Sequence, residues 1–322
     1  MLKDFVETSL QFSSPLHVQG GGGNTSLKLS EETMIIKASG TFLEEMTELR
    51  PGVKLDIQCI EEALKSGDFT QVTQEREDAL NTIIDAHTDH TFFPDKKASI
   101  ETSVHAIIPR KYVFHTHFVY SNVFATAVEG WEVLSSIWGQ DIGLIPYTSP
   151  GLGLTLEIWK QYPDRESIPQ ILIFESHGIV FSADSLEAIQ ALYTSTQELL
   201  TSYLSDKGLE PFACEALEQN QGIWSPGYHL KGLLEGQTVV QHLFPDSVVF
   251  GQNIEAEVDE VGIVFSGDSI RKNKTIWENL SSMNYLRYAH EKLGWTSKFL
   301  SKSQEAYILD MGREKYRINL NK

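Results

Sequence analysis

The segment "KYVFHTHF", Lys111 to Phe118, is the feature that most narrows what this chain can be. Tyr112, Val113 and Phe114 make an apolar run of strand length, and the run leads straight into His115 and His117, which a single threonine separates. Alternate side chains of a strand share a face, so the two imidazoles point the same way about 7 Å apart, a spacing suited to metal ligation. A second apolar run, "ILIFES", ends in the same manner at His177. Packing does not call for an imidazole at the end of a buried strand, and strand ends are where open α/β sheets put their sites. His115, His117 and His177 are therefore candidate metal ligands.

Around these strands the hydrophobic pattern alternates between the two periods of regular structure. A short helix is expected over 4–13, then a glycine run at 20–23, then a hairpin in "TSLKLSEETMIIKAS" that turns at Ser30 to Thr33. "TELRPGVKLDIQCIEEALKSGD" supplies a strand and a helix ending at Gly67, and a helix follows from Thr73 to His87. Another helix begins near Ser99, whose hydroxyl is placed to cap it ahead of Glu101. The histidine strand, 111–117, is followed by a helix over 118–128, and "DIGLIPYTSPGLGLTLEIWKQY" by a strand, a loop and a helix. "PQILIFESHGIVFSADS" gives two strands meeting at His177-Gly178, and Leu186 to Ser205 a long helix. This order predicts an α/β (α+β) arrangement, a sheet with helices on its faces. Past Gly208 the texture changes: "TVVQHLFPDSVVFGQN" and "EVGIVFSG" read as strands, and helices at about 278–293 and 301–315 close the chain. The expected division is a domain over 1–210 and a smaller α/β extension over 211–322.

A fourth ligating group comes from "SIETSVHAII", where Glu101 and His105 stand four apart on one helix face close to the histidine strand. Glu101 is either a helix N-terminal carboxylate favoured by the macrodipole or a metal-associated general base. His105 can serve as a hydrogen-bond partner on that face. Of the ten histidines, His17, His229, His242 and His290 read as ordinary core or surface residues, and His87 and His90 as solvated. Three imidazoles and a carboxylate suit zinc or another borderline divalent ion. With only Cys59 and Cys214 present and no Cys-x-x-Cys, thiolate zinc sites and disulfide scaffolds are excluded. "GGGGNTS", with Gly23, Asn24, Thr25 and Ser26, lets backbone approach a ligand closely and offers amides to an anion. Ser39-Gly40-Thr41 is a second small turn that could converge on the same anion. Neither is a Walker A loop or a dinucleotide fingerprint.

The net charge of −18 repels phosphate backbones, so nucleic acid is not an expected partner. No apolar run approaches the ~20 residues that cross a bilayer, and the acidic, broken N-terminus does not read as a signal peptide. A cytoplasmic protein without membrane association is expected.

Taken together, "GGGNTSLK", "IKASGTFL", "SIETSVHAIIPRKYVFHTH", "IPYTSPGLGL" and "ESHGIVFS" resemble the class II aldolase/adducin superfamily over about residues 18–205. The chain is most similar to the aldolase portion of predicted bifunctional rhamnulose-phosphate aldolase/dehydrogenase proteins, whose tail it also resembles in "LFPDSVVF" and "MGREKYR". The resemblance implies a three-layer fold with a central, mainly antiparallel sheet, and His115, His117 and His177 as zinc ligands. It implies Glu101 as resting ligand and proton acceptor in turnover. Gly23, Asn24, Thr25, Ser39, Gly40 and Ser99 fall on the substrate-phosphate loops, although the family's paired serines read Ser99-Ile100 here. The family's leaving-group tyrosine, lent by a neighbouring subunit, has no aligned counterpart, and Tyr147 reads as structural. The implied activity is cleavage of a ketose 1-phosphate of the rhamnulose- or fuculose-phosphate type by a homotetramer. Epimerases and a dehydratase on the same metal site, and adducin-like binding modules without metal, belong to the same superfamily. A metallohydrolase is disfavoured by the lack of H-E-x-x-H.

Overall fold

The central strand β5 is apolar on both sides of its pleat, which requires a covering layer on each face. The computed structural model describes residues 1–139, 141–214, 217–219, 222–225, 241–251, 256–258, 263–265 and 269–320. Its main sheet contains β1 (Asn24–Lys28), β2 (Thr33–Ile36), β3 (Val53–Asp56), β4 (Thr88–Asp89), β5 (Tyr112–Thr116), β6 (Ile142–Ile145), β7 (Ile171–Phe174) and β8 (Gly178–Ala183). These eight strands lie in the order β4-β3-β2-β1-β5-β8-β7-β6. Every neighbouring pair is antiparallel except β6 with β7. Mixed α/β structure with a central sheet and flanking helices is what the sequence predicts.

The helices of the first part are α1 (Leu2–Gln11), α2 (Gln58–Lys65), α3 (Gln74–Ala86), α4 (Thr102–Ile107), α5 (Val119–Ala125), α6 (Val128–Trp138), α7 (Leu152–Gln161) and α8 (Leu186–Asp206). Strand alternation divides the core between the two faces. Phe114, Phe181, Ile173 and Leu27 pack with Phe5 of α1, Val123 of α5 and Leu200 of α8. On the other face Val113, Leu172 and Val180 pack with Val104 of α4 and Leu154 and Ile158 of α7. Met34, Val53 and Leu55 meet α2 and α3 there, through Ile60 and Leu80.

Beyond Gly208, β9 (Leu217–Gln219), β10 (Gly222–Ser225), β11 (Ala256–Val258) and β12 (Ile263–Phe265) form a second sheet ordered β11-β12-β10-β9. Among the described residues it is accompanied by α9 (Pro245–Phe250), α10 (Ile270–Leu293), α11 (Lys302–Asp310) and α12 (Gly312–Leu320). Leu243, Phe244, Trp277, Leu280 and Leu286 of this segment share one apolar cluster with Phe5, Phe114 and Val123. Among the described residues, no helix is long and apolar enough to cross a membrane.

Several elements differ from expectation. "LFPDSVVF" is not a strand: Pro245 occupies the first helical turn, Ser247 Oγ bonds the Phe244 backbone at both N (3.4 Å) and O (2.6 Å), and α9 results. β-branched composition here loses to a proline whose fixed φ suits a helix start. The strand expected earlier in that stretch, residues 238–240, lies outside the described residues. The helix expected over 118–128 ends early, at Ala125, because Ala127 is extended and bridges to Ser297, and a further helix that was not expected, α6, begins at Val128. α10 starts at Ile270, eight residues earlier than expected, where Ser269 Oγ accepts from Lys272 N (3.2 Å). The last helix breaks at extended, buried Met311.

Phe114 has no exposure and sits edge-on to Phe5 and Phe12, with ring centroids 6.0 and 5.4 Å away. Phe114→Ala is expected to cost about 3–5 kcal/mol of folding stability, read from the denaturation midpoint at unchanged m-value.

Candidate active site

β5 is the scaffold from which the site grows. His115 pairs opposite Asn24 on one side and Val180 on the other, and His117 follows just past the strand end. His177 sits in the turn between β7 and β8, after Ser176, whose φ of 51° lies in the left-handed region. That backbone conformation is uncommon for serine and is secured by the bond from Ser176 N to Ala125 O (2.9 Å). Asn122 Nδ2 donates to His177 O at 3.2 Å. The three rings come together with centroids 5.0, 5.1 and 5.2 Å apart, and they offer nitrogens that lie within 4.8 Å of one another. Gly178 must lack a side chain, since a Cβ would lie 2.4 Å from Thr116 O and 2.8 Å from His115 Cε1.

Glu101 is the N-cap of α4, which starts at Thr102. The Ser99 hydroxyl reaches only Glu101 N, at 3.4 Å. The expected shared face with His105 is not what brings Glu101 to the cluster. His105 turns away to bond Ser26 Oγ through Nδ1 (2.7 Å), while the non-helical Glu101 swings its carboxylate between two imidazoles. Oε2 lies 3.4 Å from His115 Nε2 and Oε1 lies 3.2 Å from His177 Nε2. Asn24 Nδ2 donates to Oε2 at 2.6 Å.

The donor set fits a borderline divalent cation. His115 Nδ1 faces Ile179 O at 3.2 Å, which leaves Nε2 as a buried atom with no hydrogen-bond partner. Glu101 Oε1 is equally buried and unbonded. Such atoms are costly to strip of water unless something replaces it, and an ion held by nitrogen and carboxylate oxygen does so. Burial pushes the His117 and His177 rings down to about 3, so both are neutral, as ligation requires. Burial alone would raise the Glu101 carboxyl, but the imidazoles of His115 and His177 and the Asn24 amide outweigh it and leave it below its ordinary range.

A pocket adjoins the cluster, walled by Gly21, Gly22, Gly23, Asn24, Ser39, Gly40, Ser99 and Ile100. Gly23 has φ +59°, and a Cβ there would lie 2.5 Å from the Val18 side chain and 2.9 Å from His115 O. Ser39 Oγ is buried without a partner. Thr25, by contrast, does not face this pocket: strand alternation sends it to the opposite side, where Oγ1 bonds Ser9 Oγ at 2.8 Å. Lys37 escaped the sequence reading, although a lysine inside "MIIKAS" is a signal. Its buried Nζ donates to Gly21 O (2.9 Å) and Thr41 O (2.7 Å), tying the two loops together, and burial lowers it to about 7.

The C-terminal segment supplies residues that the sequence reading did not assign to the site, although "LFPDSVVF" and "MGREKYR" contain four of them. Pro245, Asp246, Glu314 and Arg317 line the same pocket. Arg317 Nη1 donates to Asp246 Oδ1 (3.0 Å) and to Glu314 (2.9 Å). Burial works to raise Asp246, yet Arg317 and His117 hold it down to about 2. From α10, Glu278 accepts from Gly20 N (2.6 Å), and Arg271 donates to Gly40 O (2.8 Å) while its guanidinium carbon stands 3.8 Å from the Phe42 ring centroid.

The family model of the class II aldolase and adducin N-terminal domain matches residues 3–204, and the chain belongs to that family. An uncharacterized oxidoreductase of Bacillus subtilis (strain 168), YuxG, is 27% identical over 198 residues, which are 58% of this chain and 27% of that protein's length. The N-terminal class II aldolase domain of a conserved protein from Thermoplasma acidophilum superposes with a TM-score of 0.51 at 20% identity, over 62% of this chain and 92% of that one. An L-fuculose 1-phosphate aldolase superposes with a TM-score of 0.44 at 17% identity, over 65% of this chain and 88% of that one.

Above about pH 6.5 the rings of His117 and His177 are neutral in folded and unfolded chain alike. As pH falls the unfolded chain takes up protons that the folded chain refuses until about pH 3. Each ring then withdraws up to about 1.4 kcal/mol of stability per pH unit. In the metal-free protein, histidine-labelled NMR spectra should show both rings neutral at pH 5. Imidazolium signals from either at that pH would contradict this assignment.

Proposed function

We propose that the protein is a zinc-dependent aldehyde-lyase that cleaves a ketose 1-phosphate of the deoxysugar type to dihydroxyacetone phosphate and an aldehyde. The observation that carries this reading is the Glu101 carboxylate suspended between His115 and His177, beside a pocket of glycine backbone and small hydroxyls. Family membership supports a lyase on a small sugar phosphate. His115, His117 and His177 would hold the ion, with Glu101 completing the set at rest. A bound divalent ion supplies Lewis-acid polarisation of the substrate carbonyl.

The remaining work falls to side chains. Glu101 moves the proton at the carbon that becomes nucleophilic in the synthetic direction and returns it in cleavage, a role worth typically 10²–10⁴-fold in rate. Asn24 engages Oε2 and leaves Oε1 unbonded, which orients the carboxylate for that transfer. Gly23, Ser39, Gly40 and Ser99 receive the phosphate, and Lys37 keeps their two loops at a fixed separation while adding positive charge. Thr25 has no contact with substrate in this reading.

Glu101→Gln should retain zinc, measured by elemental analysis, while exchange of the dihydroxyacetone phosphate carbon-bound hydrogen with deuterated water falls at least ~100-fold. Exchange at the unsubstituted rate would reject the role. Incubating the zinc-loaded protein with a panel of ketose 1-phosphates, products identified by mass, tests the reaction. Products of unchanged mass but altered configuration would point to epimerisation, loss of water to a dehydratase, and no conversion to a binding module.

A further inference from the structure

Two buried carboxylates touch the imidazole cluster, and only Glu101 has a role so far. The other, Asp246, comes from α9, more than a hundred residues beyond the histidine strand, and is 2% exposed. Arg317 anchors its Oδ1 at 3.0 Å, and Arg317 is itself braced by Glu314. Its Oδ2 lies 3.4 Å from His117 Nδ1, and each of these two buried atoms has no other partner. They meet across bare backbone, because a Cβ on Gly22 would lie 2.5 Å from Oδ2 and 2.9 Å from Nδ1. Among the described residues, the side chains grouped closely enough to hold an ion are His115, His117 and His177, and neither Glu101 nor Asp246 is in that group.

A histidine that binds metal through one nitrogen ordinarily donates the other N–H to a carbonyl or carboxylate, which sets its tautomer and raises its basicity. His115 does this with Ile179 O. We propose that Asp246, anchored by Arg317, is the positioning residue for His117, accepting its Nδ1–H and leaving Nε2 to bind the ion. The C-terminal segment thereby becomes part of the metal centre of its own chain. The 3.4 Å separation is long for a formed bond of this kind. This inference rests on the imidazole trio as a metal site and is independent of which reaction the site performs.

Zinc affinity of the full-length protein, measured by competition with a chromogenic chelator, tests it. Asp246→Ala should weaken zinc binding about 10–100-fold, and Asp246→Asn, which keeps an oxygen acceptor of the same size, should weaken it less. Arg313→Ala serves as control. Arg313 is on the same helix as Arg317 and is also buried, but it bonds Asn81 and Asp85, away from the cluster, so zinc affinity should be unchanged. In zinc-loaded, ¹⁵N-histidine-labelled protein, His117 should carry its proton on Nδ1. This reading of the unsubstituted protein stands even if the alanine variant does not fold. Zinc affinity of Asp246→Ala within twofold of the unsubstituted protein, or zinc on His117 Nδ1, overturns the inference. A fully folded unsubstituted protein that binds no zinc overturns the metal reading beneath it, and failure of the aldolase reading shows separately, as zinc-loaded protein without product.

Discussion

The antiparallel pairing of β5 between β1 and β8 is the constraint on which the site depends. Its register sets His115 opposite Asn24, whose amide holds Glu101, and opposite Val180, two residues into the strand that His177 introduces. A slip of one residue would turn His115 toward the Phe114 face and replace it with an apolar ring. Both faces of β5 are buried, so register is specified twice over. The geometry of the polar end is thus fixed by the apolar body of the same strand.

That polar end collects groups that would be expensive to bury separately. Three carboxylates, Glu101, Asp246 and Glu314, stand with Arg317 and Lys37 around the imidazoles. Buried charge is tolerated when each ion has a partner and its remaining lone pairs are satisfied. Asp246 meets this condition at Oδ1 through Arg317, whereas Glu101 Oε1 and His115 Nε2 do not. Unmet capacity at this end extends to His117 Nδ1 and Asp246 Oδ2, which face each other.

Much of this was readable from residue order. The hairpin of β1 and β2, the histidine strand and the β7–β8 turn follow from apolar runs and their polar breaks, and the meeting of His115, His117 and His177 follows from strand ends on one sheet. Thr25 was misplaced despite an available rule, since a residue adjacent to Asn24 in a strand must face the other way. Glu101 was placed near the ligands for an incomplete reason: it lies outside the helix whose face it was assigned to. "LFPDSVVF" misled because its composition favours a strand, while Pro245 and burial against α10 and α11 make it a helix.

By itself the chain order determined the strands, the family pattern and the imidazoles and carboxylate of the candidate site, because those depend on periodicity over a few residues. Only the tertiary structure decided that Asp246, Arg317 and Glu278, all far along the chain from the glycine loop, belong beside it. Local pattern carries no trace of such contacts. They arise because Phe244, Trp277 and Leu286 are buried in the core that also contains Phe114, which carries their polar neighbours to the end of β5.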